Sequence, residues 1–325
     1  MRVIEVQAPG LLTTVQDLGR EGYGLMGVSP SGAADPVALR IGNRLVGNAE
    51  GAAGLEMTLH GGSFRFPMGA VIALTGSHFD ATLDGVPVEP WTSVLANLCQ
   101  TLHVGPTLSG ARCYLCVRGG ISVEPFLGSA STHLLSGLGG HEGRALRKGD
   151  VLTIGLGKGE LPPWGPIGEP PPRKRTVAAK ALERLAPRKV LRVTPGPQSD
   201  WFPKAAQKVF YTSTYRVTEE ANRMGLRLEG TALPEGAHGE MISEGVSLGA
   251  VQIAAGGLPI ILFVEQQTTG GYAKIANVIS ADFHSLGQLR PRDEIRFEQV
   301  DLETARALLG EQEKLLASEN LIVES

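Results

Sequence analysis

The sequence predicts a mainly β fold with only a few short helices. Glycine and proline account for 43 and 21 of the 325 residues, and chain breakers at that frequency rule out an all-α protein. Short runs of β-branched and apolar residues recur along the chain between turn residues. Many short strands with glycine-rich turns are typical of barrels and sandwiches, not of a doubly wound sheet.

The predicted strands are three to five residues long, and most are bounded by Gly, Pro, Asp or Asn, which favour turns. The longest apolar run, Ile260 to Val264, is far shorter than a membrane span. In chain order the predicted strands are 3–6, 71–74, 81–83, 113–117, 151–154, 190–193, 226–228, 251–253, 260–264 and 294–297.

Two helices are predicted, and we expect their apolar faces to cover the sheets. The first follows the N-cap Asp35, has Pro36 at its first position and ends at Gly47. Its apolar residues recur at four-residue spacing, at Val37, Ile41 and Leu45. The second runs from Asp301 to about Ser318, with an apolar stripe of Leu302, Ala305, Leu308, Leu309, Leu315 and Leu316.

A proline- and glycine-rich segment divides the chain. It contains three consecutive prolines at 170–172, followed by the basic triplet 173–175, a composition that is extended and poor at building a core. We therefore expect an N-terminal domain over 1–157, a connection over 158–188 and a C-terminal domain over 189–325 that ends in the second helix.

A weak internal repeat supports two related domains. The pattern Leu-Arg, two turn residues, Asp and an alternating strand occurs at 146–154 and again at 289–297. Each half also opens with a Val-x-x-Val strand that is followed by Pro-Gly. This self-similarity favours two β-domains in tandem.

Charge and cysteine content exclude several classes of protein. The chain has 30 basic and 33 acidic residues, so a nucleic acid is not expected as its main partner. Its three scattered cysteines fit a reducing compartment better than a disulfide framework. With no signal peptide and no membrane span apparent, we expect a cytoplasmic protein without membrane contact.

The N-terminal half contains one candidate ligand-binding segment. Glycines at 10, 19, 22 and 24 surround Gln16, Asp17 and Arg20, and Ser31 follows shortly afterwards. Such a loop lets backbone N–H groups approach a ligand while these side chains supply an amide, a carboxylate and a guanidinium. The alternative is that Asp17 and Arg20 pair with each other and that Asp35 only caps its helix.

The C-terminal half contains a second candidate site. Asn222 and Arg223 precede a strand, and a Ser-Glu-Gly segment contains Glu244. The segment 265–272 adds amides, hydroxyls and glycines directly after an apolar strand. Polar strand ends are where ligands meet a rigid scaffold, so this segment is expected to bind a ligand.

Several familiar motifs are missing. The sequence has no phosphate-binding loop and no Gly-x-Ser-x-Gly nucleophile motif. Cys113 and Cys116 have Cys-x-x-Cys spacing but lie in a predicted strand, where residues three apart face opposite sides, so we expect structural cysteines. The seven histidines form no metal-binding pattern, and no metal site is expected.

Several long motifs together resemble the family called biotin-dependent carboxyltransferase, KipA or allophanate hydrolase subunit 2, which includes the C subunit of the bacterial 5-oxoprolinase. The resemblance covers nearly the whole chain. It is carried by Gly-Leu-Leu-Thr-Thr-Val-Gln-Asp-Leu-Gly-Arg at 10–20, Ser-Gly-Ala-Ala-Asp at 31–35, 43–48, 139–150, Asn-Arg-Met-Gly-Leu-Arg-Leu at 222–228, Ser-Glu-Gly at 243–245 and Gln-Thr-Thr-Gly-Gly-Tyr at 267–272.

The resemblance implies two tandem cyclophilin-like β-barrel domains. It also implies two partners: a KipI-type protein, equivalent to the B subunit of 5-oxoprolinase, and a LamB/YcsF-type protein, equivalent to its A subunit. Family members in the 5-oxoprolinase complex open the lactam of 5-oxoproline to L-glutamate with ATP, so the resemblance implies a subunit that is active only in such a complex. ATP would serve the complex, because this chain lacks a phosphate loop.

Three positions depart from the family pattern. Glu265 stands where Asp is usual, Ala34 replaces a usual Met, and Ala130 stands where Arg is common. The acidic group is retained at 265 but is longer by one methylene. Because the arginine at 130 is missing, the resemblance supports the identity of the substrate less strongly than it supports the family.

Two alternative functions remain open at this point. One is the carboxyltransferase component of a biotin-dependent urea or amide carboxylase, with biotin supplied by another chain because no Ala-Met-Lys-Met motif occurs here. The other is a non-catalytic regulator that binds a KipI-type kinase inhibitor. A lactam and urea both present a planar N–C=O group, so one amide-binding loop could serve either substrate.

The expected site residues follow from the two candidate segments and the resemblance. The catalytic candidates are Asp17, Glu265 and Arg223. The candidates for binding a small lactam or amide substrate are Gln16, Arg20, Ser31, Asn222, Glu244, Gln252, Gln267, Thr268, Thr269, Gly270, Gly271 and Tyr272.

Overall fold

The computed structural model describes residues 2–155, 173–234 and 241–324, which form two compact units. The unit here called the N-terminal unit contains Met1–Arg20, Ser31–Leu185 and Leu316–Ser325. The other, here called the barrel unit, contains Glu21–Pro30 and Ala186–Leu315. Each unit has its own sheets, which confirms the mainly β class.

The secondary structure consists mostly of short strands. In chain order the strands are β1 (Val3–Ala8), β2 (Thr13–Gln16), β3 (Gly54–Thr58), β4 (Ser63–Arg65), β5 (Ala70–Gly76), β6 (Phe79–Leu83), β7 (Val86–Pro87), β8 (Ser93–Ala96), β9 (Thr101–Thr107), β10 (Arg112–Val117), β11 (Ile121–Ser122), β12 (Val151–Ile154), β13 (Arg175–Val177), β14 (Val190–Pro195), β15 (Tyr215–Val217), β16 (Gly225–Gly230), β17 (Glu244–Gly245), β18 (Ala250–Ile253), β19 (Pro259–Leu262), β20 (Thr269–Gly270), β21 (Lys274–Val278), β22 (Glu294–Gln299) and β23 (Ile322–Glu324). The helices are α1 (Pro36–Val46), α2 (Ala179–Arg184), α3 (Lys204–Thr212), α4 (Phe283–Gly287) and α5 (Leu302–Ala317).

The N-terminal unit has two main sheets that enclose one core. One sheet has the strand order β11-β12-β1-β4-β9-β6-β7, and the other has the order β2-β3-β10-β5-β8. Apolar residues of both sheets belong to one buried cluster, including Ile4 and Phe64 from the first sheet and Leu55 and Leu115 from the second. One face of each sheet thus lies on this core, and α1 covers the other face of β5 and β10, whose residues are almost all buried.

Helix α1 matches its prediction closely. The carboxylate of Asp35 accepts a hydrogen bond from the amide of Ala38, and Pro36 occupies the first turn. The helix ends at Gly47, whose φ of 81° lies in the left-handed region that favours glycine. Its predicted apolar positions Val37, Ile41 and Leu45 are all buried.

The cysteines of β10 are structural, as predicted. Cys113 and Cys116 are buried at opposite faces of this central strand. Burial raises the pKa of the Cys113 thiol to about 12 and raises the pKa of Cys116 further. Thiols with pKa values this high are unreactive near neutral pH.

The barrel unit is a closed barrel with the strand order β14-β21-β18-β19-β16-β15-β22. Closure leaves no edge strand, and the ring is completed by a parallel pairing of β14 with β22. The predicted strand 260–264 is shorter than expected, because β19 ends at Leu262. The following residues Phe263 and Val264 are buried outside the strand.

The helices of the barrel unit are only partly as predicted. Helix α3 was not predicted, because its burial rests on the single pair Ala206 and Phe210. Helix α5 is present, but Leu302 of its predicted apolar stripe is 57% exposed, while Ala305 is buried. Among the described residues, no helix is long and apolar enough to cross a membrane.

The domain organisation differs from the expected contiguous ranges 1–157 and 189–325. Residues 316–325 belong to the N-terminal unit, because β23 pairs with β13, with Thr176 opposite Val323. Of the expected connection 158–188, residues 158–172 lie outside the described part of the chain. The remaining residues include β13 and α2 and so are not merely extended linker.

Candidate functional site

Asp17 lies directly after β2, and its carboxylate accepts four hydrogen bonds. Oδ1 accepts from the amide of Gly19 at 2.8 Å and from the hydroxyls of Ser129 and Ser131 at 2.6 Å each. Oδ2 accepts from the amide of Ala130 at 2.7 Å. With both oxygens used in this way, the carboxylate anchors a loop of its own unit.

Gln16, Arg20 and Ser31 bond to the same part of the chain. The side-chain amide of Gln16 donates to the carbonyl of Thr132 at 3.1 Å, and the hydroxyl of Ser31 donates to that carbonyl at 2.9 Å. The guanidinium of Arg20 donates to the carbonyl of Ser131. The structure therefore brings together all four predicted residues of this half, in a network of internal hydrogen bonds.

A second buried polar cluster surrounds Tyr114. Its hydroxyl donates to Oε2 of Glu56 at 2.7 Å and accepts from the amide of Asp35 at 2.8 Å. Burial, followed by the carboxylate of Glu56, raises the pKa of Tyr114 well above its usual value. The cluster holds the beginning of α1 against β3 and β10, which is a structural task.

Arg223 and Glu265 form a buried ion pair in the barrel unit. Arg223 precedes β16 and Glu265 follows β19, and these strands are antiparallel neighbours. Nε of Arg223 donates to Oε1 of Glu265 at 2.5 Å, with side chains only 5% and 2% exposed. The neighbouring Asn222 is exposed, and its side-chain oxygen accepts from the amide of Met224 at 2.8 Å, which shapes the turn.

A two-stranded ribbon brings the remaining predicted segments together. Strands β17 and β20 pair with Glu244 opposite Gly270 and Gly245 opposite Thr269. Beyond them, the amide of Val246 donates to the carbonyl of Thr268 at 3.1 Å. The acidic residue predicted from one segment thus lies beside the amide- and glycine-rich loop predicted from another.

The carboxylate of Glu244 binds a lysine that the sequence analysis did not select. Oε1 of Glu244 lies 2.6 Å from Nζ of Lys274, whose side chain is 4% exposed, whereas that of Glu244 is 44% exposed. The same oxygen accepts from Nε2 of Gln198 at 2.8 Å. The ammonium of Lys274, and then Gln198, lower the pKa of Glu244.

Gln252 lies next to this ion pair. It is opposite Lys274 in the antiparallel pairing of β18 with β21, so both side chains lie on the same face of the sheet. Gln252 is 1% exposed, and its Nε2 atom has no hydrogen-bond partner among the described residues. A buried donor without a partner is unusual and marks a position where a ligand atom could bind.

Gly270 packs closely against that amide. A Cβ atom on Gly270 would lie 2.6 Å from Nε2 of Gln252 and 3.0 Å from Nε2 of Gln267. Both amide nitrogens therefore lie close to the same point. We refer to the following residues as the Lys274 cluster: Gln198, Glu244, Gln252, Gln267, Gly270 and Lys274.

The rest of the predicted loop is exposed, apart from the half-buried Thr268. A Cβ atom on Gly271 would lie 3.3 Å from the carbonyl oxygen of Met241, a tight but tolerable contact, and φ of Gly271 is outside the left-handed region. The closer approach of neighbouring side chains is therefore at Gly270. The exposed loop residues are Gln267, Thr269, Gly271 and Tyr272.

Lys274 and Gln198 were missed by sequence reasoning for different reasons. Lys274 is the single charged residue among the apolar residues of β21. A lone charge in an apolar strand is a signal that the sequence offers, because lysines are rarely buried without a partner. Gln198 lies in an ordinary turn after β14 and carries no such signal. Its role depends on reaching Glu244, 46 residues away in the chain.

The chemistry available at the Lys274 cluster is that of binding a carbonyl or carboxylate oxygen. It offers the ammonium of Lys274 and the side-chain amides of Gln252 and Gln267 as donors, and the carboxylate of Glu244 as an acceptor. Within residues 2–155, 173–234 and 241–324, no three or more His, Cys, Asp and Glu side chains are grouped to hold a metal ion.

Comparison with known proteins matches this chain to carboxyltransferases over most of its length. Residues 26–299 match the family described as carboxyltransferase domain, subdomain A and B. Over 312 residues, the chain is 37% identical to the C subunit of 5-oxoprolinase from Escherichia coli (strain K12), covering 96% of each chain.

Two solved fungal structures are similar to this chain over almost its full length. The crystal structure of the K. lactis urea amidolyase matches with a TM-score of 0.85 and 32% identity, over 99% of this chain and 21% of that one. The Kluyveromyces lactis urea carboxylase matches with a TM-score of 0.86 and 31% identity, over 99% of this chain and 30% of that one. The chain thus spans less than a third of either fungal protein.

Proposed function

The chain belongs to the carboxyltransferase domain family, subdomain A and B, and on that premise we propose that it is a subunit of an ATP-dependent 5-oxoprolinase. The observation that carries this proposal is the match to the C subunit of 5-oxoprolinase, which covers 96% of both chains. A match over nearly all of that relative favours a subunit of the same kind. The urea-processing relatives are several times longer than this chain.

The proposed reaction needs partner subunits. Opening an unstrained five-membered lactam requires activation of a poor electrophile, and phosphorylation of the amide oxygen by ATP is a chemically sensible route. We expect a KipI-type protein as the B subunit and a LamB/YcsF-type protein as the A subunit to complete the site. In this assembly, the Lys274 cluster would bind the planar amide or the carboxylate of the substrate.

The beginnings of helices α1 and α5 do not suit a phosphate of ATP. The beginning of α1 is occupied by the carboxylate of Asp35, and Pro36 removes one N–H group that a phosphate would need. Helix α5 also begins behind an aspartate, since Asp301 accepts from the amide of Thr304 at 2.7 Å. We therefore assign ATP binding to a partner protein and derive no step through it on this chain.

One alternative function is favoured by a specific observation. The two fungal structures match with TM-scores of 0.85 and 0.86, so a urea or amide carboxyltransferase component is the second candidate. Biotin would then arrive on another polypeptide and would supply the carboxyl group. The amide of Gln252 and the ammonium of Lys274 are the residues that would hold its carboxylated ring.

Reconstitution tests the proposal directly. The purified chain would be mixed with its LamB/YcsF-type and KipI-type partners, 5-oxoproline and ATP, and L-glutamate would be measured. We expect glutamate only when all three proteins and ATP are present. Mixtures lacking one protein at a time are the controls, and urea with a biotin carboxylase and bicarbonate is the parallel assay for the alternative.

Two outcomes would overturn the proposal. Glutamate formation by the isolated chain would contradict its dependence on partners. Carboxylation of urea by the parallel mixture, without conversion of 5-oxoproline by the three-protein mixture, would replace the proposal with the alternative.

A further inference from the structure

The ion pair between Lys274 and Glu244 is asymmetric. The side chain of Lys274 is 4% exposed, whereas that of Glu244 is 44% exposed. A carboxylate with water on one side can leave the pair at small cost, because water solvates it at once. A buried ammonium cannot do the same, so it needs another anion whenever Glu244 moves away.

The ammonium also has unused donors. A lysine carries three N–H groups, and the carboxylate of Glu244 is the only partner of Nζ among the described residues. The buried Nε2 atom of the neighbouring Gln252 also has no hydrogen-bond partner among the described residues. Two adjacent buried donors with unused capacity indicate a bound acceptor group.

Gly270 packs closely against the amide of Gln252. A side chain on Gly270 would collide with Nε2 of Gln252 at 2.6 Å and would approach Nε2 of Gln267 at 3.0 Å. The absence of a side chain thus lets the Gln252 amide pack against the ribbon of β17 and β20. The exposed Gln267 can contribute another donor from the side of the solvent.

We propose that Lys274 and Gln252 form a carboxylate-binding site in the barrel unit, with Glu244 occupying the ammonium until a ligand carboxylate displaces it. The two oxygens of a carboxylate match two neighbouring donors, one of them charged. A neutral amide such as urea offers no charge to exchange for that of Glu244. The identification of the ligand as 5-oxoproline, whose ring carries a carboxylate, rests on the proposed function.

Binding to the full-length chain tests the site. L-5-oxoproline would be compared with pyrrolidin-2-one, the same lactam without the carboxylate, by isothermal titration calorimetry at fixed ionic strength. We expect Glu244→Gln to bind L-5-oxoproline about tenfold more tightly than the wild type, because the competing carboxylate is gone. Lys274→Met is expected to weaken this binding at least about tenfold, with pyrrolidin-2-one unaffected by either change.

Two controls separate binding from folding. Lys208→Met removes an exposed lysine of α3 and is expected to leave binding unchanged. Lys274→Arg keeps the charge, so it is expected to retain more affinity than Lys274→Met even where both variants have lower melting temperatures. A purely structural ion pair would not make Glu244→Gln a tighter binder.

The proposal is overturned if Glu244→Gln binds L-5-oxoproline no better than the wild type, or if neither binds it at millimolar concentration. It is also overturned if Lys274→Met binds as well as the wild type. Failure of this site is distinct from failure of the proposed function. A complex that converts 5-oxoproline with an unchanged KM in Lys274→Met rejects the site alone, whereas Lys274-dependent binding without turnover in the complex rejects the function alone.

Discussion

Arg223 and Glu265 are joined twice. Nε of Arg223 donates to Oε1 of Glu265 at 2.5 Å, and the amide of Glu265 donates to the carbonyl of Arg223 at 2.8 Å. Both residues are buried, so loss of one partner removes a charged hydrogen bond in a region of low dielectric. The pair was predicted to be catalytic, and its geometry makes it a structural link between β16 and β19 as well.

Glu265→Gln is therefore expected to lower the free energy of unfolding by about 3 kcal/mol. The matched control is Glu219→Gln, because Glu219 pairs with Arg292 at side-chain exposures of 65% and 83%, and its loss is expected to cost about 0.5 kcal/mol. Urea denaturation measures both. Unchanged stability in Glu265→Gln, together with loss of turnover in the complex, would make this acid purely catalytic.

Asp17→Asn is expected to destabilise the N-terminal unit by about 2 kcal/mol or more, because an amide cannot replace a carboxylate that accepts four hydrogen bonds. Thermal and urea unfolding measure this loss. Asp80→Asn is the control, since Asp80 is exposed in the same unit and should change stability little. If Asp17→Asn unfolds like the wild type while the complex loses activity, the original catalytic assignment stands.

Gly270→Ala is expected to be more harmful than Gly271→Ala, because the buried side chain of Gln252 would have to move. The added Cβ at 270 would lie 2.6 Å from a buried amide, whereas at 271 the nearest atom is 3.3 Å away. Overpacking of this kind costs about 1–3 kcal/mol. We expect Gly270→Ala to lower both the melting temperature and kcat/KM of the complex, and equal effects at the two positions would contradict the observed packing.

The pH dependence of stability should include a contribution from Asp150. Hydrogen bonds from Arg144 lower the pKa of Asp150 from its ordinary 3.8 to about 2. A lowered pKa stabilises the folded state above the ordinary value, and this stabilisation is lost as the pH falls from about 4 to 2. With about 1.4 kcal/mol per pKa unit, the loss is about 2 kcal/mol.

Asp150→Asn removes this titration, so the free energy of unfolding is expected to fall less steeply between pH 4 and pH 2 than in the wild type. Chemical denaturation at each pH provides the measurement. Asp80→Asn again serves as the control and should retain the slope of the wild type. Identical slopes in Asp150→Asn and the wild type would show that the bond to Arg144 has no such effect.

Local patterns in the sequence were sufficient to predict most of the helices and strands in which they occur. The N-cap Asp35, Pro36 and the terminal Gly47 define α1, because capping and backbone preferences act over a few residues. The strand predicted at 151–154 coincides with β12. Polar residues after a buried strand also pointed to the loop 267–272, although not to which of its glycines is packed tightly.

The sequence by itself thus determined the β class, α1 and the segments rich in polar residues, all of which depend on neighbours in the chain. Only the tertiary structure decided which of those side chains meet. Asp17 bonds to residues more than 100 positions away, and Lys274 reaches Glu244 because β21 and the ribbon of β17 and β20 meet in one unit. Such pairings depend on strand order and barrel closure, and the energy of a contact between distant residues leaves no local pattern to detect.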